Sequence, residues 1–163
     1  MKNFFKLMLL ALLVLPFQAC SNDDEASVSV VFVPGVGLEI PMEITPNNIA
    51  GVWELKNWSN SAEPPVVYLE LIRKDRKFKM YQHFESMYPR LITGTYNIDE
   101  NTLTGKYDYI NEYWSNEYTI ELYQNAMVLS VKDDATDRQI FVRVSEVPAE
   151  IKDKALSPIA PEE

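Results

Sequence analysis

Five aromatic side chains crowd one short run, YDYINEYWSNEY, residues 107–118: Tyr107, Tyr109, Tyr113, Trp114 and Tyr118. Aromatic faces stack on apolar ligands and on the C–H faces of sugars, and the hydroxyl and indole N–H add hydrogen bonds that fix orientation. The run therefore reads as a candidate binding surface, against the alternative that alternate members point inward as core while the others lie flat. Groups for covalent chemistry are scarce. His83 is the sole histidine, and in KFKMYQHFES the apolar face is Phe78, Met80 and Phe84. That places His83 on the opposite, solvated face with Lys79 and Tyr81, out of reach of a catalytic triad or a histidine-rich metal site. DDATD, residues 133–137, gathers Asp133, Asp134 and Asp137 but lacks the spacing of a calcium loop, so a hairpin turn accounts for it. No pair among the 24 acidic residues is marked out for glycoside hydrolysis, and no glycine-rich phosphate loop occurs. The expectation is a protein with no catalytic residues, no metal and no cofactor.

The elements that must position the aromatic run are strands. Tyr118, Ile120 and Leu122 alternate with Thr119, Glu121 and Tyr123, and a period of two means one buried face. Similar segments at 51–58, 65–73, 77–86, 90–98, 102–107, 115–124, 126–132 and 138–144 make eight, with Asn125 and DDATD as hairpin tips. Short connections and the lack of proline between Pro89 and Pro148 point to an all-β, antiparallel up-and-down barrel, which leaves no strand edge open. Phe78, Met80, Phe84, Tyr96, Tyr118, Met127 and Phe141 are its bulky filling candidates. PAEIKDKAL, residues 148–156, predicts a short C-terminal helix that starts at Pro148 and turns Val147, Ile151 and Ala155 to one side. Residues 27–46 are apolar but broken by Pro34, Gly35, Gly37 and Pro41, as an extra strand or a pinned arm would be.

Cys20, the sole cysteine, follows Lys2, Lys6 and the apolar run LMLLALLVLPF. Residues 1–19 read as a secretion signal, because a membrane-spanning helix needs about 20 apolar residues. Ordinary cleavage wants small residues at the first and third positions before the cut; Ala19 complies and Phe17 does not. The stretch resembles a bacterial lipobox, which implies lipidation of Cys20, with a free thiol as the alternative. Two or three acyl chains would make that membrane anchor stable. The acidic SNDDE after it makes residues 20–26 a hydrated tether, similar to that of surface-exposed lipoproteins of the Bacteroidetes. Outer-membrane placement is implied, facing either the cell surface or the periplasm.

IAGVWEL, residues 49–55, and LITGTYNIDENTLTG, residues 91–105, resemble the opening strand and central hairpin of lipocalin-like lipoproteins of the Bacteroidetes. The resemblance implies a lipocalin-like domain over residues 47–156, a tail at 157–163, and a barrel plug in which Arg143 covers Trp53. Together with the aromatic run, the barrel gives the expectation of ligand binding: a membrane-anchored module taking a small apolar or sugar ligand at a mouth edged by Tyr109, Tyr113 and Trp114. The alternative is a filled barrel acting as an inhibitor or assembly subunit with an envelope protein as its partner. The net charge of −9 argues against nucleic acid, whose phosphates require basic surface.

Overall fold

The computed structural model of the chain describes residues 29–84 and 86–158. The leader, Cys20 and the tether expected before them, Glu85, and residues 159–163 lie outside the described residues. Two short strands, β1 (Val31–Val33) and β2 (Gly37–Glu39), precede β3 (Gly51–Trp58), β4 (Val66–Ile72), β5 (Lys77–His83) and β6 (Arg90–Asp99). Then follow β7 (Thr102–Tyr107), β8 (Tyr118–Leu122), β9 (Ala126–Val131), β10 (Asp134–Val144) and helix α1 (Ala149–Lys152). From β3 to β10 each strand pairs antiparallel with the next, and β10 returns to β3, so the eight strands form a closed barrel.

Alternation fills the interior: Trp53 and Leu55 of β3, Leu69 and Leu71 of β4, Phe78 of β5, Tyr96 of β6 and Phe141 of β10 share one buried cluster. Strand β9 is apolar on both faces, and the structure shows why. Met127 and Leu129 point inward, whereas Ala126 and Val128 are covered from outside by Val33 of the N-terminal hairpin, together with Tyr123 and Ile140. The N-terminal arm is thus a β1–β2 hairpin pinned to the outer wall rather than an added barrel strand. Glu39, also buried, clamps it there: its carboxylate accepts a hydrogen bond from the Asn125 backbone N–H at 2.9 Å.

A second external cover corrects the reading of β5. Tyr81 pairs across the sheet with Tyr68, and both are buried beneath Val147, Ile151 and Ala155 of the C-terminal segment. Alternation gives only the side on which a residue stands; a covering segment decides whether that side is wet. His83, of the same parity, is half-buried rather than solvated, with Nε2 2.8 Å from the Ser86 carbonyl oxygen. Phe84, expected as filling, stands 43% exposed at the rim. Pro148 precedes α1 at the cap position instead of opening it. The second hairpin tip is also shorter than expected: Asp134–Asp137 already belong to β10, whose register against β9 jumps between Asp134 and Arg138. Asp134 Oδ1 accepts hydrogen bonds from the Thr136 N–H and hydroxyl, which hold its carboxyl below the ordinary carboxylate range.

Six tyrosines, Tyr68, Tyr81, Tyr96, Tyr107, Tyr118 and Tyr123, titrate above their ordinary value, with burial the largest cause in each. Folded values raised above the unfolded one, about 10, contribute stability that is fully present below about pH 10 and lost as pH rises through the folded values. The expected result is cooperative alkaline unfolding, with tyrosinate absorbance and the β-sheet circular dichroism changing together. Full ionisation near pH 10 with the dichroism unchanged would contradict this.

Candidate binding site at the open end of the barrel

The two ends of the barrel differ. At the end where β3 begins, Trp53 is fully buried and its indole Nε1 donates to the Ile49 carbonyl at 2.9 Å. The Arg143 guanidinium lies over that indole with Cζ 4.1 Å from the ring centroid. It also donates to three main-chain carbonyls, Ala50 and Asn48 at 2.7 Å and Gln124 at 3.3 Å. Gly51, at φ +138°, passes directly beneath: its backbone angle demands glycine, and a Cβ there would stand 2.5 Å from Arg143 Nη1 and push the guanidinium aside. The structure therefore brings Trp53 and Arg143 together as a seal over this end.

Toward the opposite end β7 and β8 separate. Their register contains only Thr102↔Thr119 and Leu103↔Tyr118. Beyond Leu103, β7 pairs with the connecting loop instead. Tyr107 N–H donates to the Glu112 carbonyl and Trp114 N–H to the Gly105 carbonyl, both at 2.8 Å, with Lys106 bridged to Tyr113. The loop, folded back in this way, carries Trp114 across Gly105, whose lack of a side chain admits the indole. Phe78 meets that indole edge-on at a centroid distance of 5.1 Å and Tyr118 at 6.0 Å.

Beside Trp114 the barrel interior is not filled. A cavity of about 200 Å³ reaches the rim, walled by Leu69, Met80, Tyr107, Trp114, Leu129 and Phe141. Gln82, Ser115 and Gln139, with the hydroxyl-bearing Tyr107 and Tyr118, are the polar members of its lining, which among the described residues includes no charged side chain. The Trp114 indole Nε1 is buried and has no hydrogen-bond partner among the described residues. A buried donor without an acceptor costs about 1–3 kcal/mol.

Of the five aromatic residues singled out in the sequence, the structure places Tyr107, Trp114 and Tyr118 on the cavity wall. Tyr109 instead leans on Tyr107 with centroids 5.6 Å apart, packed against the core. Tyr113 stands 70% exposed on the outside, with Lys106 Nζ 5.4 Å from its ring centroid. The mouth is thus edged by Trp114 but not by Tyr109 or Tyr113. Sequence reasoning passed over Leu69, Gln82, Leu129 and Gln139. Their inward parity was legible, but a cavity is a matter of where inward residues fail to meet.

Among the described residues no cluster of three or more His, Cys, Asp or Glu side chains is placed to hold a metal ion. A search of curated proteins found no match to the chain. Residues 49–129 match the family model described as a lipocalin-like domain. From Ile49 to Leu129 the sequence is thus similar to a lipocalin-like domain, and β10, beyond the match, closes the eight-stranded barrel onto β3.

Proposed function

We propose that this protein is a binding module held at a bacterial outer membrane by acyl chains on Cys20, and that its barrel takes up a small, neutral, mostly apolar ligand through the open end. The observation that carries the binding reading is the uncharged cavity of about 200 Å³ walled in part by Trp114, whose indole Nε1 has no hydrogen-bond partner among the described residues. An apolar protein cavity near 150 Å³ holds benzene, so this one suits a single ring bearing a short substituent. An uncharged lining disfavours ions, whose burial without a partner is far costlier than that of a neutral group. It also favours the apolar ligand over the sugar: a buried hexose would leave several hydroxyls to be satisfied by a few polar groups. The indole N–H then selects a ligand with one hydrogen-bond acceptor. No catalytic step is part of this reading.

The test is displacement of the neutral, single-ring fluorescent probe 4-(dimethylamino)benzonitrile from the leaderless Cys20→Ser chain by acetophenone, ethylbenzene and glucose. Acetophenone is expected to displace it better than ethylbenzene, which has nearly the same shape without the carbonyl acceptor. Trp114→Phe should erase that preference, and Met80→Trp, which fills the cavity, should weaken probe binding about tenfold, or about 1.4 kcal/mol. Displacement by glucose alone, or probe binding untouched by Met80→Trp, would refute the assignment.

A further inference from the structure

The N-terminal hairpin carries an apolar face that nothing in the described structure covers. Phe32 and Leu38 are direct cross-strand partners, so their side chains share one face; it points away from the barrel, since Val33 and Glu39, of the other parity, are buried against it. Phe32 is 67% and Leu38 74% exposed, and Val30 and Ile40, of the same parity, are exposed too. The outward face therefore bears four apolar side chains and no polar one. A hairpin clamped to its barrel through Glu39 and Val33 gains nothing in water from such a face; contiguous exposed apolar surface of this kind marks a partner or a membrane.

Two placements decide between these occupants. First, the chain leaves the described structure at Ser29, beside this face, with eight residues between Ser29 and Cys20. Fully extended, that link spans about 30 Å at most, so acyl chains on Cys20 would keep the hairpin within reach of the lipid surface. Second, the base of the hairpin is tied to the sealed end of the barrel. The Ile40 carbonyl accepts from Gln124 N–H at 2.9 Å and Met42 N–H donates to Leu122, while Arg143 of the seal donates to the Gln124 carbonyl.

We infer that the outward face of the β1–β2 hairpin, centred on Phe32 and Leu38, seats in the interface of the bilayer that holds the acyl chains, with the β9–β10 wall that the hairpin covers turned toward the lipid and the open end left in the water. The inference rests on the acylation of Cys20 proposed above. The uncharged face suits the acyl-headgroup boundary of zwitterionic lipid, where amphipathic elements bury their apolar side. It makes the hairpin a second, weak contact that fixes orientation while the acyl chains fix attachment.

The full chain, processed in a lipoprotein-competent bacterial host and reconstituted into phosphatidylcholine vesicles, provides the test. Once Cys20 is acylated, Phe32→Cys or Leu38→Cys supplies the single free thiol for an environment-sensitive fluorophore, with Glu112→Cys, exposed in the loop at the open end, as the control. Labels at 32 and 38 are expected to shift to the blue and to be quenched severalfold more by lipid-borne nitroxide than the label at 112. Mass spectrometry of the same samples separates the two ways of failing. An unmodified Cys20 would remove the anchor and the seat together; an acylated Cys20 with positions 32 and 38 as hydrated as 112 would remove the seat alone. Labels shielded from water yet untouched by the lipid quencher, with a doubled particle mass, would assign the face to a second copy of the chain and overturn the inference.

Discussion

Replacement of Trp53 by alanine is expected to lower the unfolding free energy by about 3–5 kcal/mol, the usual cost of emptying a large aromatic site in a core. Three losses coincide there. The indole is fully buried at the sealed end, its Nε1 bond to Ile49 disappears, and Arg143 loses the face over which it lies at 4.1 Å. The last contact is worth roughly 1–2 kcal/mol when desolvated, so the two residues should not behave independently. A double-mutant cycle of Trp53→Ala and Arg143→Met, followed by urea denaturation, is expected to show a coupling of about 1 kcal/mol or more. A loss below about 1 kcal/mol for Trp53→Ala would mean that the seal contributes little to stability, contrary to its place in the core.

Gly105→Ala should produce the second largest effect, and one with a functional readout. A Cβ at position 105 would collide with the five- and six-membered rings of the Trp114 indole. The Trp114 main-chain N–H, donating to the Gly105 carbonyl, holds its backbone in place, so the indole retreats only by losing its edge contacts with Phe78 and Tyr118. Overpacking of this kind costs about 1–3 kcal/mol, and here the displaced group is one wall of the cavity. Probe binding should fall about tenfold or more, the equivalent of about 1.4 kcal/mol. Tyr113→Ala, at a site 70% exposed and outside the cavity, should change stability by no more than about 0.5 kcal/mol. Equal losses of probe affinity for the two variants would sink the assignment of the wall to Trp114.

The barrel was legible because its signal is local. Inward parity along a strand such as Tyr118–Leu122 follows from the order of side chains alone, and the eight segments read from the sequence correspond to β3 through β10. What depends on two distant segments meeting was not legible. Tyr81 was assigned to water because nothing in KFKMYQHFES reveals that Val147 and Ile151 lie over it. The aromatic run of 107–118 had the right composition for a mouth, yet its residues divide between wall, core and exterior according to how the loop folds back on β7. The cavity emerged only from coordinates, because Leu69, Met80 and Phe141 read equally well as filling. Trp53 and Arg143 were readable as a pair only through the family resemblance; their spacing across the chain carries no periodic signal.

The closure of β10 onto β3 has a temporal meaning. Its register joins Val144 to Val52 and Gln139 to Trp58, partners at opposite ends of the domain. Such distant pairing must be preceded by costly loop closure, which makes folding slow. β10 comes last of the eight barrel strands in chain order, so a state in which it has yet to pair leaves seven strands as an open sheet with two unpaired borders. That state is the one most exposed to mispairing with neighbouring chains, and a chaperone that holds the unfinished sheet apart would act there.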